Sequence, residues 1–214
     1  MNFAIQWNDR AGKEASAIIQ YAILEQIPYK MVKDINSIPK DCIPVGSVEY
    51  CLKALGRKIK PDYYPEFLKQ YLYREVWETN IWTLGKKLFI KPADRYKRFN
   101  GFVTNGGYKG KKRPPYWCSE IVKFNNEWRY YVANGKILTG EWYSGDEINT
   151  PDAPLLDIEI PDNYCGAIDF GELSTGKLAL VEANHPFACG WYGKDYKLYA
   201  EWIIKGWEYM LNDR

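Results

Sequence analysis

Apolar positions in this 214-residue chain follow a mixed strand and helix rhythm at first, then a dense succession of strand-like runs. Phe3-Ala4-Ile5-Gln6-Trp7 reads as a first strand. From Lys13 to Glu25, residues Ala17, Ile18, Tyr21, Ala22 and Leu24 fall near the spacing of one helical face. Tyr29-Lys30-Met31-Val32 offers a second strand, and a strand–helix–strand opening predicts a small α/β lobe with parallel pairing. Ile43 to Ser47 leads into a helix through Leu55, with Ser47 as N-cap and Gly56 as stop.

Residues 57–80 are rich in Tyr, Pro and charge and read as a connector with a helix near Pro65 to Val76. Strand-like runs then crowd together at 87–91, 101–103, 117–124, 128–132 and 136–143. Two more, Ala167 to Phe170 and Lys177 to Val181, flank Ser174-Thr175-Gly176 and predict a hairpin with a glycine-containing turn. The chain closes on an amphipathic helix from Tyr196 onward, with Tyr199, Trp202, Ile203, Gly206, Trp207, Met210 and Leu211 on its apolar face.

The predicted hairpin is where chemistry first shows. Strand alternation sets Glu182 and Asn184 on one face, and Asp169 joins them if it points the same way from the neighbouring strand. Two carboxylates and an amide oxygen, with no histidine or thiolate among them, are hard ligands that suit Mg²⁺ held against phosphates. His185 is the only histidine, so a zinc site built from several histidines is excluded. It stands beside Asn184 and before Pro186, where it serves either the turn or the chemistry.

Composition narrows the picture modestly. The net charge of +2 gives no overall field toward nucleic acid or an anionic membrane. One basic run, Lys109-Gly110-Lys111-Lys112-Arg113, precedes Pro114-Pro115 and reads as a loop. Together with exposed aromatics it supplies a competing reading, a nucleic-acid-binding protein. Five scattered cysteines without close pairing fit a reduced setting, and no signal peptide or long apolar run stands out, so a cytoplasmic protein is expected.

Further candidates precede the hairpin. Lys91 ends an apolar strand, and Pro92 is expected to turn the chain out of the sheet so that the lysine points into a cleft. Lys97 lies in Lys97-Arg98-Phe99-Asn100-Gly101, where the glycine would let backbone approach a phosphate. Ser119 to Val122 reads as a strand leaving its sheet, Asn125-Asn126 as a turn, and Glu127 to Val132 as the next strand. Glu127, Arg129 and Tyr131 share one face of it. The carboxylate of Glu127 suits a ribose hydroxyl, and the planar fork of Arg129 suits phosphate oxygens, although such a pair is also common on surfaces.

In order, these residues resemble ATP-grasp ligases: Asp169, Glu182 thirteen residues on, then Asn184, with Glu120 and Glu127 seven apart. Phe89-Ile90-Lys91-Pro92, Lys97 to Gly101 and Glu127-Trp128-Arg129 look most like a small clade named for one arginine and two lysines, often encoded by phages and bacteria. Pro44 to Glu49 and Tyr64-Pro65 are similar to the clade's N-terminal part.

The resemblance implies an α+β fold. Two lobes, 81–118 and 119–214, would clamp ATP, preceded by an α/β lobe with connector at 1–80. Lys91 and Lys97 would contact phosphates, Glu120, Ile121 and Val122 would lie along the adenine, and Glu127 would hold the ribose. Arg129 would face the γ-phosphate, and with Lys97 would be the catalytic pair. Asp169, Glu182 and Asn184 would hold Mg²⁺. The implied activity is ADP-forming ligation of a carboxylate to an amine on a small molecule, peptide or protein, with a non-catalytic nucleotide-binding protein as an alternative. Asp94-Arg95-Tyr96-Lys97 departs from the Ser- and Gly-rich phosphate loop common in such ligases, and Asn105 to Gly110 is a second candidate for that cover. Asp169-Phe170-Gly171 also matches a protein-kinase motif in residue type, but the kinase catalytic-loop His-Arg-Asp and N-terminal Gly-rich turn are missing.

Overall fold

The computed structural model describes residues 1–7, 12–80, 86–104 and 114–212. At the N-terminus, strands β1 (Phe3–Gln6), β2 (Tyr29–Val32) and β3 (Ile43–Val45) form a parallel sheet in the order β2-β1-β3. Helix α1 (Lys13–Leu24) links β1 to β2, and α2 (Val48–Leu55) follows β3. Ser47 Oγ accepts from the Tyr50 N–H at the start of α2, and Gly56 ends the helix in the left-handed conformation. Phe3, Ala4 and Ile5 of β1 are fully buried against Ile18 and Ala22 of α1.

Two four-stranded sheets follow. The first has the order β4-β7-β5-β6, from β4 (Val76–Thr79), β5 (Phe89–Pro92), β6 (Phe102–Val103) and β7 (Tyr116–Ser119). The second has the order β11-β10-β8-β9, from β8 (Phe124–Ala133), β9 (Lys136–Ser144), β10 (Gly166–Leu173) and β11 (Leu178–Asn184). Both faces of the second sheet are covered, and strand alternation sorts its side chains. Tyr131, Ala133 and Ala167 pack with the N-terminal sheet and with α3 (Tyr196–Asn212), whereas Trp128, Tyr130, Val132, Ile168 and Phe170 pack with Tyr63, Tyr64, Leu68 and Leu72 of the connector. Among the described residues no helix is long and apolar enough to cross a membrane.

Several expectations give way to the structure. The helix near Pro65 to Val76 is a 3-10 segment, Glu66–Tyr71, and Val76 opens strand β4 instead. Tyr73 adopts φ 48°, which breaks any helix, and the next residue is tied across the molecule to β11. Pro92 stays in the ladder opposite Tyr116: the Ala93 N–H donates to Pro115 O, so the proline nitrogen faces the edge where β6 no longer runs. Asn125 and Asn126 lie inside β8, and the break falls at residues 120–123. The Asn126 amide oxygen accepts from Trp142 Nε1 and the Asp146 N–H, so the polar side chain serves a cross-strand contact rather than a turn. Leu211 is exposed, while the other apolar positions expected on α3 are buried. The basic run 109–113 and the stretch from Asn105 to Gly110 lie outside the described residues.

Candidate active site

The second sheet carries one charged residue per strand in a single cross-strand row. Glu182 of β11 pairs with Asp169 of β10, Asp169 with Arg129 of β8, and Arg129 with Glu141 of β9. The row depends on a break in register. Phe170 pairs with Leu180 but Asp169 with Glu182, which leaves Val181 as the extra residue of a β-bulge. Leu180 and Glu182 would share a face of a regular strand; across the bulge Leu180 enters the core and Glu182 the cleft.

Asp169 is 1% exposed, and both its oxygens accept from Arg129, Oδ1 from Nε at 2.8 Å and Oδ2 from Nη2 at 2.6 Å. Burial pushes the Asp169 carboxyl up to about 6, against the pull of the guanidinium. Arg129 also donates to Gly190 O at 3.2 Å, and its guanidinium lies over the stacked rings of Tyr143 and Tyr192. Tyr143 in turn donates to Glu127 Oε2 at 2.7 Å. Asn184 Nδ2 donates to Glu182 Oε1 at 2.8 Å, which leaves the amide oxygen of Asn184 free to ligate.

Lys91, from β5 of the other sheet, reaches across to Glu182 with Nζ 2.6 Å from Oε2. Its side chain is 6% exposed, and the ammonium sits over the rings of Tyr63 and Tyr64, 3.6 and 4.7 Å from their centroids. Burial alone would raise the Glu182 carboxyl; the Lys91 ammonium and the Asn184 amide outweigh it and hold the group below the usual carboxylate range. Both members of the ion pair line a cleft of about 250 Å³ between the two sheets. Glu120, Ile121, Val122 and Glu127 line that cleft with Lys91 and Glu182. A larger and shallower groove of about 640 Å³ near Trp77 and Trp117 shares Tyr64 and Arg74 with the cleft but neither member of the ion pair.

Most residues expected at one site therefore meet at this cleft or directly behind it. Glu120 arrives with its carboxylate already engaged, accepting from the Glu75 N–H at 3.0 Å. Lys97 is not in the cleft lining: it opens on a separate cavity toward the N-terminal sheet. At Gly101 the ring of Phe89 fills the space a Cβ would need, 2.4 Å away, so packing accounts for the glycine. His185 is buried with Nδ1 accepting from the Phe187 N–H, and Nε2 has no partner among the described residues. No group of three His, Cys, Asp or Glu side chains gathers to hold a metal among the described residues.

Several cleft residues escape the sequence reading. Arg74 donates to Leu180 O at 2.6 Å and Val181 O at 2.9 Å, satisfying the carbonyls at the bulge, and its guanidinium lies 5.8 Å from the ring centroids of Tyr64 and Phe124. Arg74 also donates to the nearby Leu72 O at 3.2 Å, but the two acceptors at the bulge lie more than a hundred residues away and leave no local pattern. Phe124 fits against Gly171, where a Cβ would stand 2.3 Å from the ring. The glycine of Asp169-Phe170-Gly171 is thus explained by packing beneath the cleft.

The two four-stranded sheets on either side of this cleft are arranged as in ATP-grasp proteins. N5-carboxyaminoimidazole synthetase from Staphylococcus aureus superposes with a TM-score of 0.51 at 11% identity, over 96% of this chain and 77% of that one. N5-carboxyaminoimidazole ribonucleotide synthetase from Thermotoga maritima gives 0.51 at 11% identity, over 95% and 75%. The ATP-grasp ligase PsnB, complexed with minimal precursor, Mg and ADP, gives 0.51 at 8% identity, over 96% and 97%; in a second PsnB complex the overlap is 62% of this chain and 55% of that one. Residues 71–202 match the ATP-grasp domain of family 2 in the clade named for one arginine and two lysines, and the chain belongs to that family. No curated protein matches the sequence.

Proposed function

We propose that this protein is an ATP- and Mg²⁺-dependent ligase that joins a carboxylate to an amine through an acyl phosphate and releases ADP. The observation that carries the reading is the Lys91–Glu182 ion pair in the wall of a cleft that Glu120, Ile121, Val122 and Glu127 also line. A buried lysine and a glutamate that neutralise each other form a preset exchange: phosphate oxygens take the ammonium, and the released carboxylate takes a cation. The irregular backbone at 120–123 offers main-chain groups outside any ladder to an adenine edge, and Glu127 keeps one oxygen for a ribose hydroxyl.

The donors fit Mg²⁺ in part. Glu182 in the cleft wall and the amide oxygen of Asn184 beside it are hard ligands, and Mg²⁺ ordinarily needs only one or two carboxylates besides phosphate oxygens. Both oxygens of Asp169 are held by Arg129, so in this arrangement Asp169 fixes the arginine and offers a cation only its remaining lone pairs. Mg²⁺, when bound, supplies charge neutralisation of the phosphates. Arg129 is then a positioning residue that holds Asp169 and Gly190, and the rate gain comes from alignment and electrostatics. The same proposal divides the chain into an N-terminal lobe at 1–80 and an ATP-grasp unit at 81–214, with β4 as the segment of the first that adds to a sheet of the second.

Incubating the protein with Mg-ATP and a pool of amino acids and small peptides, followed by mass spectrometry, tests the reading. ADP together with a condensed product is expected. AMP in place of ADP, or nucleotide turnover without any condensed product, would overturn it.

A further inference from the structure

The cavity onto which Lys97 opens has a volume of about 270 Å³, enough for one small organic molecule. It lies where β1, α1, β3 and α2 meet the Pro186 to Gly190 segment that leaves β11. Its walls carry two opposite charges, a half-buried Glu14 and an exposed Lys97, neither of them in an ion pair among the described residues. Glu14 Oε1 accepts from the Trp191 N–H at 3.0 Å, which fixes the carboxylate, while Oε2 has no partner among the described residues. Lys97 is exposed and makes no ion pair or hydrogen bond among the described residues, and its backbone is held at φ 52°, a conformation that a side chain other than glycine rarely adopts. Val45, Phe187 and Ile203 give the remaining wall an apolar character.

We propose that this cavity binds a free α-amino acid, with its ammonium toward Glu14, its carboxylate toward Lys97 and its side chain against Val45, Phe187 and Ile203. The assignment rests on the ligase reading, because it makes the amino acid one of the two molecules joined. Both charges define the ligand: a simple carboxylic acid gains no attraction from Glu14 and a simple amine none from Lys97, so each is expected to bind more weakly than a molecule that carries both groups. The position suits a substrate. Gly190 lines the cavity, and its carbonyl accepts from Arg129 and from the Tyr131 hydroxyl, so one residue separates the cavity from the charged row.

Calorimetric titration of the full chain with the common L-amino acids, with and without Mg²⁺ and a non-hydrolysable ATP analogue, tests the proposal. For an amino acid that binds, the deamino and decarboxy analogues are expected to bind at least about tenfold more weakly. Lys97→Gln, and separately Glu14→Gln, which keeps an acceptor for the Trp191 N–H, should each weaken binding by about tenfold while affinity for the ATP analogue holds. No binding of any amino acid under either condition, analogues that bind equally well, or variants that bind like the parent would overturn it. Nucleotide binding and ADP release without amino-acid binding would overturn the cavity assignment alone. Amino-acid binding by a protein that neither binds nor turns over ATP would leave the cavity assignment standing and overturn the ligase reading.

Discussion

The Lys91 ammonium lies 2.6 Å from Glu182 Oε2, joining two sheets that share no backbone ladder. Each side chain is the other's counter-ion, so removing either one leaves its partner's charge unpaired in the cleft wall. Glu182→Gln is expected to abolish ATP turnover while far-UV circular dichroism stays that of the parent. Turnover at the parental rate would rule out the metal-side role of Glu182. Lys91→Ala should weaken ATP binding by tenfold or more, a loss of about 1.4 kcal/mol or greater, and unaltered affinity by calorimetry would remove Lys91 from the phosphates.

Arg129 and Asp169 are a buried, doubly hydrogen-bonded pair, and Arg129→Met should cost about 3–5 kcal/mol by leaving the Asp169 carboxylate without its partner. Urea unfolding measures this directly. A loss below about 1 kcal/mol would show that the row is held by its neighbours instead.

Arg74 supplies the donors for the two bulge carbonyls, and Arg74→Met should lower stability by about 2–3 kcal/mol and loosen the cleft wall at Val181. A thermal melt checks the first effect and nucleotide titration the second. If both are unchanged, water replaces the guanidinium without loss.

Burial pushes the His185 imidazole down to about 3, whereas an unfolded chain takes that proton near 6.5. Between those values the unfolded state binds a proton that the folded state refuses. The contribution of His185 is therefore complete above about pH 6.5 and falls as pH drops toward 3, by about 1.4 kcal/mol per unit. From pH 7 to pH 5 the parent should lose about 2 kcal/mol more than His185→Asn, as read from urea midpoints. Equal losses would show that His185 titrates normally in the folded protein.

Gly171→Ala places a methyl group 2.3 Å from the Phe124 ring, and a cost of about 1–3 kcal/mol is expected, with Phe124 displaced at the cleft. Parental stability together with parental nucleotide affinity would mean that the ring moves aside freely.

What could be read from sequence was whatever rests on local periodicity. Ser47 and Gly56 bound α2, Ser174 to Gly176 turns the β10–β11 hairpin, and alternation sets Glu127, Arg129 and Tyr131 apart from Trp128, Tyr130 and Val132. The spacing of Asp169, Glu182 and Asn184 pointed to one end of that hairpin, and the strands place the three side by side. Distant partnership left no such trace. Arg74 depends on β11 carbonyls, Asn126 reads as a turn residue until Trp142 is beside it, and the 3-10 segment at Glu66–Tyr71 has the composition of a helix. Lys97 is close in sequence to Lys91 yet faces another cavity, because the turn after β5 carries it toward the N-terminal sheet.

The bulge at Val181 has a consequence for the kind of surface β11 offers. A regular strand shows a ligand every second residue, so an oily contact and an anion cannot come from consecutive positions. With one residue out of step, Val181 and Glu182 both line the cleft. A flat, uncharged ring and a charged tail of the same ligand can thus be met by adjacent residues of one strand, and the selectivity of that wall comes from the irregularity more than from either side chain.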